Sequence, residues 1–102
     1  MRASPRMSSF ELKEVETGRF ELVGEMSFEN ADKILASSRR LFGNYAGLKV
    51  DLSQVKRADS AGLALLLEWK AQANQKAGAI DFFGIPDSLL AIARTTEVSD
   101  LI

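Results

Sequence analysis

The chain has 102 residues, of which 46% are hydrophobic, and its 13 basic and 14 acidic side chains give a formal net charge of −1. This length and composition suit one compact domain and leave no room for a second. A net charge near zero creates no field that would draw nucleic acid or anionic lipid, so we expect neither as a direct partner.

The sequence contains no cysteine and no histidine, which bears on both catalysis and metal binding. Disulfides and thiol chemistry are excluded, and the usual ligands of metal clusters and the usual base of hydrolytic sites are missing. The loop Gly43–Lys49 lacks the Gly-Lys-Ser/Thr ending of a phosphate loop. We therefore expect no enzyme activity, no cofactor and no metal. Because the sequence shows neither a signal peptide nor a long apolar run, we expect a cytoplasmic protein that reaches a membrane only through a partner.

The first part of the chain predicts a polar leader and a hairpin. Residues 1–8 are polar, lack periodicity and are expected to be disordered, which leaves residues 9–102 as the domain. Two strands are predicted at residues 10–15 and 19–23, joined by a short turn that contains Gly18.

The remaining elements alternate between helix and strand. A helix is predicted from Phe28 to Phe42, with Ser27 as its N-cap. Apolar residues at every second position then predict a third strand, and these residues are Leu48, Val50 and Leu52. Further elements are predicted as a helix over residues 61–77, a strand over 79–84 and a helix from Pro86 to about Thr95. The fold class is therefore α/β, with one four-stranded mixed sheet, and the alternating strands predict helices mainly on one face.

Ser60 lies where the third strand passes into the second helix, and Asp59 or Ser60 is the predicted N-cap of that helix. The start of a helix presents unpaired N–H groups and the positive end of the dipole. A phosphate on Ser60, or a carboxylate from a partner, would be stabilised there. The alternative interpretation is that Asp59 and Ser60 only cap the helix.

The second helix is apolar on nearly every side in its first two turns. Leu66, Trp69 and Ala73 form one stripe that we expect to enter the core. Ala61 and Leu65 form another stripe with Glu68, so we expect them to face outward beside Ser60 and to bind a protein partner. The alternative is that the third helix or the C-terminal tail covers Leu65.

Two short motifs resemble the signature of STAS domains, a family of bacterial anti-sigma factor antagonists and transporter regulatory modules. One is Leu22-Val23-Gly24-Glu25-Met26, which looks like the family's turn between the second strand and the first helix. The other runs from Val50 to Leu67 and contains Asp59-Ser60-Ala61-Gly62. Together with the predicted strand and helix near the C-terminus, the resemblance covers roughly residues 9–102, and the order and spacing of the motifs imply a STAS fold.

The resemblance implies a function in protein binding. Ser60 corresponds to the residue that is phosphorylated in anti-sigma factor antagonists, which makes it the candidate phosphoacceptor. Ala61 replaces the second serine of those proteins, and the following residues look like the STAS subunit of the Mla phospholipid-transport complex. The implied partner is then the ATPase subunit of an ABC-type transporter that maintains outer-membrane lipid asymmetry; the alternative partner is an anti-sigma factor kinase. The expected partner-binding residues are Asp59, Ser60, Ala61, Gly62 and Leu65.

Overall fold

The computed structural model of the chain describes residues 9–43 and 45–102, so the leader expected over residues 1–8 lies outside the described residues. The four strands are β1 Phe10–Glu16, β2 Arg19–Met26, β3 Gly47–Ala58 and β4 Ala79–Phe83. The helices are α1 Ala31–Phe42, α2 Ser60–Gln75 and α3 Asp87–Thr95, followed by a short 3-10 helix, Ser99–Leu101. The predicted α/β class with a single four-stranded mixed sheet is confirmed.

The strands lie side by side in the order in which they occur along the chain. β1 and β2 form an antiparallel hairpin, whereas β2, β3 and β4 run parallel to one another. β4 pairs only with the Gly47–Asp51 part of β3. Because α1 follows β2 and α2 follows β3, both helices begin at the same end of the parallel strands, where Met26 and Ala58 are neighbours in register. The residues that the sequence singled out lie at this end of the sheet.

Burial alternates along β3, which shows that the helices cover one face of the sheet. Leu48, Val50 and Leu52 are buried, whereas Lys49 and Ser53 between and beside them are exposed. The prediction that one face would remain solvated is confirmed by this pattern.

The centre of the core is Trp69 of α2, whose side chain is 1% exposed. Its ring centroid lies 5.4 Å from that of Phe42, and its indole N–H donates a hydrogen bond of 2.9 Å to Ser38 Oγ. The Ser38 hydroxyl in turn donates to the carbonyl of Leu35 over 2.7 Å. The predicted inward stripe of α2 is thus correct, and its one polar atom has a partner inside the core.

The start of α1 differs from the prediction. The helix begins at Ala31, not at Phe28, and its N-cap is Asn30 rather than Ser27. The Asn30 side chain, 1% exposed, accepts a hydrogen bond from the Ser27 N–H and donates one to the Glu25 carbonyl. These bonds hold residues 27–30 in a turn before the helix, and this turn leaves Phe28 outside α1.

Gly24 lies within β2, not in the turn that the resemblance implied. Its φ is 111°, and a Cβ at this position would lie 2.5 Å from the Ser9 carbonyl oxygen. Glycine is therefore needed for the close approach of the chain at Ser9, which accepts a hydrogen bond from the Glu25 N–H over 2.9 Å. The motif thus reflects strand packing rather than a turn.

Replacing the core hydroxyl tests the role of the Trp69 hydrogen bond. We expect Ser38→Ala to lower the free energy of unfolding by about 1 to 3 kcal/mol, because the buried indole N–H loses its acceptor. The matched control is Ser37→Ala, one position earlier on α1, which should change stability by less than about 0.5 kcal/mol. Urea unfolding followed by tryptophan fluorescence measures both, and equal stability of the two variants would contradict this role.

Candidate functional site

Asp59 joins the start of α2 to the loop that precedes α1. One carboxylate oxygen, Oδ1, accepts a hydrogen bond from the Ala61 N–H over 2.9 Å, and the other, Oδ2, accepts from the Phe28 N–H over 3.1 Å. The Asp59 N–H donates to the Met26 carbonyl over 3.2 Å. Of the two predicted caps, Asp59 is therefore the one that the structure uses.

Ser60 is the first residue of α2, and its side chain is exposed. Within residues 9–43 and 45–102, no hydrogen bond to its hydroxyl is found, because Asp59 performs the capping. The capping carboxylate of Asp59 lies at the positive end of α2, and no further acidic side chain occupies the first turn of this helix. The geometry at Ser60 suits either a contact with a partner or an added anionic group.

Gly62 and Leu65 face inward, unlike Ser60. Gly62 is buried, and a Cβ there would lie 3.1 Å from Met26 Cβ and 3.3 Å from Leu89 Cδ2. Glycine thus allows α2 to pack closely against the end of β2 and against α3. The predicted outward orientation of Leu65 is wrong, because its side chain is only 4% exposed.

The physical reason is that α2 packs against α1 as well as α3, in addition to the sheet. An α-helix with neighbours on several sides buries more than one stripe of its surface. The unusual apolar content of the first two turns is explained by these neighbours. Ala61 is half-buried and Ala64 is exposed, so the accessible surface next to Ser60 is smaller than predicted and is made of alanines.

A groove of about 460 Å³ lies between α1 and α2, directly beside Ala61. It is lined by eight residues from the two helices and the preceding loop: Phe28, Ala31, Asp32, Leu35, Ala61, Ala64, Leu65 and Glu68. Phe28, at 83% exposure, is a large apolar side chain left in solvent. The sequence prediction missed it because Phe28 was placed at the start of α1. An exposed aromatic side chain beside an apolar groove is typical of a protein interface.

Displaced pKa values occur at Glu14 on β1, at Tyr45 in the loop before β3 and at Asp51 on β3. The Tyr45 hydroxyl donates a 2.5 Å hydrogen bond to Glu14 Oε2, which lowers the pKa of Glu14 and raises the pKa of Tyr45. Hydrogen bonds from Ser53 lower the pKa of Asp51. The first two shifts come from a contact between β1 and the loop before β3, and the third comes from a contact within β3.

The described residues contain neither a cluster of metal ligands nor a helix that could span a membrane. In this part of the chain, no group of three or more acidic side chains is arranged to hold a metal ion. None of the helices described is both long enough and apolar enough to cross a bilayer.

Comparison with known proteins agrees with this geometry. The profile of a family described as "Mlab, STAS domain" matches residues 10–102. The chain therefore belongs to the STAS domain family. Within that family it is close to the MlaB type. A search of curated proteins found no match.

A solved structure with the same fold is described as the anti-sigma factor antagonist SpoIIAA in its unphosphorylated form. The two chains are 18% identical, superpose with a TM-score of 0.64, and match over 84% of this chain and 82% of SpoIIAA. At this identity the likeness establishes the STAS fold.

The double role of Asp59 can be tested by a variant that keeps only one of its hydrogen bonds. In Asp59→Ser the shorter side chain can still cap α2 but does not reach the Phe28 N–H. We expect amide hydrogen exchange at Phe28 to become roughly tenfold faster, whereas the Ala61 amide stays protected. Exchange measured by NMR on both proteins checks this, and unchanged protection at Phe28 would refute the bridge.

Proposed function

We propose that this chain is a non-enzymatic STAS subunit that binds the cytoplasmic ATPase of an ABC-type phospholipid transporter and regulates or stabilises it. The transporter would maintain the lipid asymmetry of an outer membrane, and the chain would be held at the inner membrane only through the ATPase. The label of the matching family supports this assignment, and STAS domains are in general binding or regulatory domains.

The observation that carries the proposal is the exposed and uncommitted hydroxyl of Ser60 next to the groove that contains Phe28. A hydroxyl that caps its own helix has less capacity to bond with a partner. The cap of α2 is Asp59, so the Ser60 hydroxyl remains available. In a protein interface, a polar group at the rim fixes the orientation of the partner, and the apolar patch supplies the buried area. ATP binding and hydrolysis would belong entirely to the partner.

A second candidate is an anti-sigma factor antagonist that binds a kinase-type anti-sigma factor and is released by phosphorylation of Ser60. The exposure of the hydroxyl at a helix start favours it, because the helix N-terminus would stabilise a phosphate. Both candidates use the same surface and differ in the partner and in whether Ser60 is modified.

Affinity capture separates the two candidates. We expect the tagged chain to recover an ABC-type ATPase and its permease from detergent-solubilised native membranes, identified by mass spectrometry, and to remain soluble when expressed alone. A control capture with the Ser60→Asp variant should recover less of both. Recovery of a kinase-type anti-sigma factor without any transporter component would refute the transporter assignment and establish the second candidate.

Substitutions at Ser60 and Ala64 test the surface itself. Because Asp59 caps α2, Ser60→Ala should leave the melting temperature nearly unchanged but weaken binding of the captured ATPase by roughly 0.5 to 1.5 kcal/mol, the value of one hydrogen bond. Ser60→Asp should weaken binding further, since it adds a second carboxylate beside Asp59 in a region that the partner desolvates.

Ala64→Glu places a charge in the groove at an exposed position, and it replaces any test at Leu65, which is buried. Its matched control is Ala71→Glu, on the same helix seven residues later, exposed and outside the groove. We expect Ala64→Glu to reduce affinity roughly tenfold or more and Ala71→Glu to have no effect. Calorimetric titration with the ATPase measures the affinity of each variant. Equal affinities for all variants would show that the interface lies elsewhere on the chain.

A further inference from the structure

We propose that the groove between α1 and α2 receives a short helical segment of the ATPase that presents apolar side chains flanked by lysine or arginine. This inference rests on the proposed function and adds the chemistry of the partner's contacting segment. It is carried by the charge and shape of the groove.

The charges along the groove have one sign. Asp32 on α1 and Glu68 on α2 both line it and both are exposed, and the lining contains no basic side chain. The nearby Lys70 of α2 is turned away, because its Nζ donates to the Ile80 carbonyl over 2.7 Å and lies 5.3 Å from the Phe82 ring centroid. An apolar floor with a carboxylate on each wall complements an apolar segment with basic side chains on both sides.

The shape of the groove favours a helix as its occupant. Its wall on α2 runs from Ala61 to Glu68, a rise of about 10 Å, which corresponds to about two helical turns. The alanines at positions 31, 61 and 64 allow close approach of another backbone, and Phe28 stands at one side as an apolar anchor. A helix with apolar side chains three or four residues apart fits such a groove.

The first arm of the test uses two labelled peptides of about 16 residues, alanine-based and capped to be helical. One carries two leucines four positions apart with flanking lysines, and its twin carries glutamate in place of every lysine. Fluorescence anisotropy should show the lysine peptide binding at least roughly tenfold more tightly. The preference should shrink as salt is added, because the rim charges are exposed.

The second arm changes the protein. The double variant Asp32→Lys/Glu68→Lys should reverse the preference between the peptides. The control Glu11→Lys/Asp81→Lys changes the net charge by the same amount on the open face of the sheet and should preserve it. Melting temperatures establish whether each variant folds. If the reversal variant does not fold, the neutral variant Asp32→Asn/Glu68→Gln takes its place and should abolish the preference between the two peptides.

Equal binding of the two peptides, binding of neither, or an equal shift in the control variant would overturn the inference. Sedimentation that showed a dimer broken by Ala64→Glu would also overturn it, since a second copy would then occupy the groove. If the ATPase binds the Asp32 and Glu68 variants as tightly as it binds the unchanged chain, the inference fails and the proposed function stands. If no ATPase binds while the lysine peptide is preferred, the proposed function fails and the chemistry of the groove stands.

Discussion

The two hydrogen bonds accepted by the Asp59 carboxylate are the interaction on which the site depends. They join the first turn of α2 to the loop before α1, and so connect the ends of two parallel strands. Because the Asp59 carboxylate caps α2, the Ser60 hydroxyl is not needed as a cap. The same carboxylate fixes the backbone at Phe28. The Asp59 side chain thereby determines both that the Ser60 hydroxyl is not used as a cap and where the exposed ring of Phe28 lies.

The second constraint is the crowding of α2, which packs against the sheet, α1 and α3. Gly62 permits this because any side chain there would meet Met26 and Leu89. The apolar first turns of α2 therefore stabilise the fold, while Ala64 is exposed and Ala61 and Leu67 are half-buried. Because packed neighbours surround this helix start, the proposed binding at Ser60 would cost little conformational freedom.

Much of the fold could be predicted from the sequence because periodicity reports burial directly. The alternation in β3 and the inward stripe around Trp69 were predicted correctly for that reason. The errors concern features that depend on tertiary neighbours. Leu65 was misplaced because a helical wheel cannot show that α1 flanks α2. Phe28 was missed because Asn30 closes a turn through its hydrogen bonds with Ser27 and Glu25, which no pattern of apolar residues reveals.

The unequal lengths of β3 and β4 have a consequence for association. β4 pairs with β3 only as far as Asp51, so within the part of the chain that the structure describes, the remainder of β3 has no strand beside it on that side. Such an open edge can template the addition of a strand from another chain. The exposed cations Lys56 and Arg57 stand on this stretch and oppose addition, since lysine and arginine at a bare edge disfavour a second strand. The proposed binding at Ser60 would thus take place a few residues from an unpaired strand edge that itself disfavours the addition of another chain.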